Sequence, residues 1–190
     1  MSSHRFEPEI TGIFKCMSSY ENSINVTSEH PDQTRDLGRK VGRLIKKPLN
    51  LALIGQLGSG KTLFVKGLAQ GLGISDQEPV TSPSYTIVNA YSGLFHIDLY
   101  RLNGIDDIEA AGVLELLDGP SICAVEWADQ ISIDDLGVHL RFEFSQILED
   151  RRTIEITAHG GDAMVLLNGL VTVQNSVQRE SKCNPKNNKW

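Results

Sequence analysis

The stretch Gly55-Gln-Leu-Gly-Ser-Gly-Lys-Thr62 satisfies the pattern G-x-x-x-x-G-K-[ST] in full, directly after the apolar run Leu49 to Ile54. That pattern has a physical meaning. Glycines let backbone N–H groups wrap phosphate oxygens, the lysine supplies positive charge, and the hydroxyl that follows can hold Mg²⁺. The chain from Thr62 to Gln70 can continue as a helix, whose dipole then points its positive end at the anion. Gly55, Gln56, Leu57, Gly58, Ser59, Gly60, Lys61, Thr62 and Leu63 are thus the expected nucleotide-binding residues, with Lys61 also serving catalysis and Thr62 the metal.

A phosphate-binding loop that hydrolyses its nucleotide needs a carboxylate beside Mg²⁺ and a group that orients water, normally at the end of an apolar strand. Asp98 follows Leu94-Phe-His-Ile97, and Glu126 follows Ile122-Cys-Ala-Val125. The second run is the cleaner buried strand, but the residues alone leave open which acid touches the metal and which polarises water. Thr81-Ser-Pro-Ser-Tyr85 sets three hydroxyls around a stiff proline, where a switch-like loop would approach the γ-phosphate; turn chemistry alone also explains such a cluster. Trp127, one of two tryptophans, lies at a strand end expected to face the nucleotide. His96 reads more readily as a core histidine than as a base.

The elements that must position these groups follow from periodicity. Leu37, Val41, Leu44 and Ile45 form one face of a helix that ends at Pro48, and its other face carries Arg35, Arg39, Lys40, Arg43, Lys46 and Lys47. Gly71 and Gly73 stop the helix after the loop. Residues up to Tyr91 and from Leu94, joined by Ser92-Gly93, predict an antiparallel hairpin. One helix is expected through Ile105, Ile108, Ala111 or Gly112, and Leu116, with strands at Val138–Phe144 and Thr153–Ala158 and a strand or short helix at Met164–Val173. Residues 1–27 read as a polar N-terminal extension, 28–174 as the globular domain and 175–190 as a polar tail.

Composition narrows the class. A chain of 190 residues that is 40% hydrophobic can bury one ordinary core. Its net charge of −6 argues against broad coating of nucleic acid, though not against a local basic patch or a partner that holds the RNA. No apolar run of about 18 residues predicts a membrane span, so the expected location is cytoplasmic. Three widely spaced cysteines, Cys16, Cys123 and Cys183, suggest neither a disulfide framework nor zinc.

Four ordered blocks, Gly55–Thr62, Thr81-Ser-Pro-Ser-Tyr-Thr86, His96-Ile-Asp-Leu-Tyr-Arg-Leu102 and Val125-Glu-Trp127, resemble the bacterial TsaE family of tRNA threonylcarbamoyladenosine biosynthesis ATPases. The resemblance spans about Ser28 to Ala158. It implies an α/β fold of P-loop NTPase type, three layers with a mainly parallel sheet and an antiparallel hairpin. It further implies a Mg²⁺-dependent ATPase, binding ATP and ADP, that assists the TsaB and TsaD proteins in modifying adenosine 37 of tRNA and meets the tRNA only through that complex. Thr62 and Glu126 would hold Mg²⁺, Asp98 would support the metal or its water, Ser82 to Thr86 would sense the nucleotide, and Thr34 and Arg151 would flank the base. Leu63 where the family often has Thr, Ser84 for Thr and Ala128 for Pro are mild departures. A small-molecule or nucleoside kinase is the alternative, with only Arg151-Arg152 offering a lid; a GTP switch lacks an Asn-Lys-x-Asp guanine reader.

Overall fold

The computed structural model describes residues 22–74 and 78–182, with side chains described up to Val173. The chain runs β1 (Ser23–Ser28), α1 (Pro31–Leu44), β2 (Asn50–Gly55), α2 (Lys61–Leu72), β3 (Val88–Tyr91), β4 (Leu94–Asp98), α3 (Ile105–Ala110), α4 (Val113–Leu117), β5 (Ile122–Glu126), α5 (Ile133–Leu136), β6 (His139–Gln146), β7 (Arg152–His159) and α6 (Gly161–Lys182). The strands form one sheet in the order β1-β7-β6-β2-β5-β4-β3.

β2 pairs in parallel with β5 and β6, and β4 in parallel with β5. The pairs β3–β4, β6–β7 and β1–β7 are antiparallel. The sheet is therefore mixed: parallel in its centre, antiparallel at both edges, which corrects the expectation of a mainly parallel sheet with one hairpin. The reason is chain length. Only residues 147–151 separate β6 from β7, far fewer than the dozen or so that a parallel crossover requires.

Strand alternation divides the interior. Leu51 and Leu53 of β2 face a cluster with Leu37 and Val41 of α1, Phe64, Val65 and Leu68 of α2, and Leu166, Leu167 and Leu170 of α6. Ala52, on the opposite face, meets Ile97, Ile108, Val113, Val125 and Leu136, the side of α3, α4 and α5. Helices thus cover both faces of the sheet, and β2, central and apolar on both sides, delivers the chain to its carboxyl edge.

α1 is locked onto α2 by backbone contact. A Cβ at Gly38 would collide with the Phe64 carbonyl, one at Gly67 with the Arg35 carbonyl, and one at Gly71 with the Arg39 carbonyl. Such close approach is open only to glycine at these points, and it fixes Thr34, in the first turn of α1, beside the start of α2. α2 ends where the sequence predicts, with Gly73 in the left-handed region donating to the carbonyl of Gln70.

Three boundaries differ from the sequence expectation. β1 begins inside the supposed 1–27 extension: Ile24 and Val26 alternate with polar residues and pair with Ile156 and Ile154 of β7, so the edge strand was hidden by its short length. The helix expected around Ile105 to Leu116 breaks into α3 and α4 at Gly112, which has φ 70°. Met164–Val173 falls inside one long helix, α6, which carries its backbone past residue 175 to Lys182; residues 1–21 and 183–190 lie outside the described residues.

Candidate functional site

Gly55 closes β2, residues 56–60 loop, and Lys61 opens α2. Gly60 supplies the turn into the helix with φ 107°, and no side chain caps the first N–H groups of α2, which leaves them aimed into the loop. The Lys61 ammonium donates to the carbonyls of Gly55 at 2.7 Å and Gln56 at 3.0 Å. It also lies 4.1 Å from the centre of the Trp127 ring, a cation–π contact. Burial lowers the Lys61 pKa from its ordinary value, against the opposing pull of the Glu126, Asp98 and Asp129 carboxylates. The loop is thereby held in shape by its own lysine.

The two acids arrive together because β4 and β5 are parallel neighbours in register, with Asp98 opposite Glu126. Both lie at carboxyl ends of strands beside the loop, where open α/β sheets bind ligands. Glu126 is 3% exposed, and its Oε1 accepts from Thr62 Oγ1 at 2.7 Å and from His96 Nε2 at 2.8 Å. Asp98 is turned elsewhere. Its Oδ2 accepts from the hydroxyls of Ser82 at 3.0 Å and Ser84 at 2.9 Å, and its Oδ1 from the Tyr100 N–H at 3.1 Å. The geometry separates the pair left open by the sequence: Glu126 joins the phosphate loop, and Asp98 holds the 81–86 loop.

Around them opens a cleft of about 350 Å³ lined by Gly58, Lys61, Thr62, Ser82, Asp98 and Glu126. Trp127 adopts φ 61°, unusual for a bulky residue; its N–H donates to Leu53 at 2.9 Å and its ring lies 5.0 Å from that of Tyr100. The indole lies across Lys61 while its other contacts pack against the core on the side of α3, α4 and α5. At the rim, Arg101 packs over the exposed Tyr85 at 4.4 Å. Leu57 is exposed and Leu63 half-buried at the mouth.

Thr34 is fully buried, its hydroxyl 2.8 Å from Ser28 Oγ, and its methyl borders Gly60. Arg151 lies further out, 45% exposed and paired with Glu29 at 3.1 Å. Its neighbour Arg152, 4% exposed, reaches the loop, donating from Nη1 to the Ser59 carbonyl at 3.3 Å and packing where a Cβ on Gly60 would be. The sequence offered Arg152 only as part of a kinase lid and not as a support of the loop, although a signal existed: it is in phase with Ile154, Ile156 and Ala158 on the buried face of β7. Tyr100 was also missed.

The donor set has a definite chemistry. The Thr62 hydroxyl and the Glu126 carboxylate are hard oxygen ligands, of the kind that can hold Mg²⁺ together with phosphate oxygens and water. Among the described residues no three His, Cys, Asp or Glu side chains gather as a cage of their own. The same set with Lys61 can bind a polyphosphate and stabilise charge on its terminal group.

Comparison with known proteins places the chain. The family model described as threonylcarbamoyl adenosine biosynthesis protein TsaE matches residues 28–154. Proteins named tRNA threonylcarbamoyladenosine biosynthesis protein TsaE are similar: that of Bacillus subtilis (strain 168) is 36% identical over 135 residues, covering 69% of this chain and 83% of the relative. That of Treponema pallidum (strain Nichols) is 41% identical over 112 residues, covering 57% and 82%. The crystal structure of Bacillus subtilis YdiB superposes with a TM-score of 0.65 at 31% identity, covering 83% of this chain and all of that one. With the phosphate loop, its two acids and strands β2 to β6 all inside the matched segment, the chain belongs to the threonylcarbamoyl adenosine biosynthesis protein TsaE family.

Proposed function

We propose that this chain is a Mg²⁺-dependent ATPase of P-loop type that supports formation of threonylcarbamoyladenosine in tRNA, acting on a complex of the TsaB and TsaD proteins and touching the RNA only through them. The observation that carries the reading is the 2.7 Å bond between Thr62 of the phosphate loop and Glu126 at the end of β5, which joins a metal-type hydroxyl to a metal-type carboxylate. Thr62 and Glu126 would hold the cation, which supplies charge neutralisation for the β- and γ-phosphates when bound. Lys61 exchanges its two carbonyl partners for phosphate oxygens. Asp98, tied to Ser82 and Ser84, relates the cleft to the 81–86 loop, so that a change at the terminal phosphate reaches a surface segment. Thr34 and Arg152 border the loop from behind and support its shape; Arg151 remains a candidate for the base at the rim.

The kinase alternative loses half of its arginine pair, because Arg152 is buried and engaged by the loop itself. No helix among the described residues is long and apolar enough to cross a membrane. The test is reconstitution. TsaB, TsaD, the threonylcarbamoyl donor and tRNA are combined with or without this chain and ATP, and modified adenosine is counted by nucleoside analysis. Repeated rounds of modification that require both the chain and ATP are expected; equal yield without the chain refutes the proposal.

A further inference from the structure

The histidine of β4 has no part in the function as proposed, yet it is fully buried and meets the oxygen that Thr62 also meets. A carboxylate has no hydrogen to give, so the imidazole donates to Glu126 through Nε2. His96 Nδ1 is buried without a partner. The tautomer with its hydrogen on Nε2 therefore makes the bond available, whereas the other would leave two buried groups unmatched. An apolar side chain of similar size would fill the space without desolvating an imidazole, so packing alone does not account for the residue.

We infer that His96 is a positioning residue for Glu126: its Nε2–H fixes Oε1 on the side of β4 and Thr62, and so leaves Oε2 as the oxygen offered to a divalent cation. The inference rests on the proposed Mg²⁺–nucleotide site and assigns that site a second layer, in which a strand-borne histidine orients a ligating carboxylate. His96 acts through Glu126 and touches neither nucleotide nor metal. Its effect falls on the metal alone, which separates it from residues that bind phosphate.

The experiment measures ADP binding by calorimetry to the full chain, first in EDTA and then across a Mg²⁺ titration, for wild type, His96→Leu, His96→Asn and His96→Gln. The Gln amide reaches about as far as Nε2, and the Asn amide falls short. Leu and Asn are expected to raise the half-saturating Mg²⁺ concentration about tenfold or more. Gln returns it to within about threefold of wild type, and ADP affinity in EDTA is alike for every variant. If His96→Leu does not fold, the Asn–Gln pair reads the same contrast. Wild-type Mg²⁺ dependence in Leu or Asn, or equal impairment in Gln, overturns the positioning role alone; ADP binding by wild type that ignores Mg²⁺ overturns the proposed function and this role with it.

Discussion

Replacing Glu126 by Gln removes one negative charge and little else. The amide keeps the length of the side chain and an oxygen that can still accept from Thr62 Oγ1 and His96 Nε2, now at 2.7 and 2.8 Å. Bonds to a charged acceptor are roughly twice as strong as neutral ones, so the two together lose about 2 kcal/mol. Relief of a carboxylate that is 3% exposed offsets much of that loss. Net stability should move by about 1 kcal/mol or less, roughly 2–4 °C in Tm for a chain of this size. Turnover should respond far more, because losing one group that stabilises transition-state charge costs about 10²–10³ in rate, near 3–4 kcal/mol. Phosphate release and ADP calorimetry on the same preparation decide the matter: hydrolysis falls at least about 100-fold while ADP affinity falls less than about tenfold. Undiminished hydrolysis, or equal losses of turnover and ADP affinity, would refute the assignment of Glu126 to the metal.

Lys61→Ala removes the charge that now rests on the Gly55 and Gln56 carbonyls, and ATP affinity should drop about tenfold or more by calorimetry. Gly67→Ala forces a methyl group into the Arg35 carbonyl and should cost about 1–3 kcal/mol in urea unfolding; an unchanged midpoint would deny the close packing of α1 on α2. Burial, with smaller contributions from His159 and Arg141 and against the bond to the Gly137 carbonyl, lowers the pKa of His139. The unfolded chain then takes up a proton near the ordinary value of about 6.5 that the folded chain refuses, so this contribution to stability is intact above that pH and is lost as pH falls from there toward the folded pKa. Tm of wild type should fall further than that of His139→Gln between pH 7.5 and 5.5. Burial also pushes the Cys123 thiol up to about 12, and in a Cys16→Ser, Cys183→Ser background it should react with a disulfide reagent at pH 8 only after unfolding.

What the sequence discloses here is what is local. The phosphate loop and the strand-end acids lie within single elements, so Gly55–Thr62, Asp98 and Glu126 were legible, and the parallel register that brings the acids together follows from equal strand ends. The partners of those acids were not. Ser82 and Ser84 on Asp98, and Thr62 and His96 on Glu126, join segments far apart in the chain, and composition carries no trace of such pairings. The place of Arg152 at the loop was missed because two adjacent arginines look alike until the phase of β7 is counted against its buried isoleucines. β1 was missed because Ile24 and Val26 are a weak signal until Ile154 and Ile156 are opposite them. The run from Met164 to Val173 was ambiguous since short apolar stretches fit helix and strand alike; packing of Leu166, Leu167 and Leu170 against the sheet decides for helix.

If Thr62, Glu126 and Lys61 form a site where Mg²⁺ and ATP meet and a partner governs hydrolysis, phosphate release must depend on the metal, on Glu126 and on the partner. Release of phosphate from ATP by the purified chain, followed in Mg²⁺ and in EDTA, alone and with the TsaB and TsaD proteins and tRNA, tests it most directly. Slow release by the chain alone, none in EDTA, and clear acceleration by the partners that Glu126→Gln abolishes are expected. Release that is indifferent to Mg²⁺ and to Glu126→Gln, or no release under any condition, would contradict it.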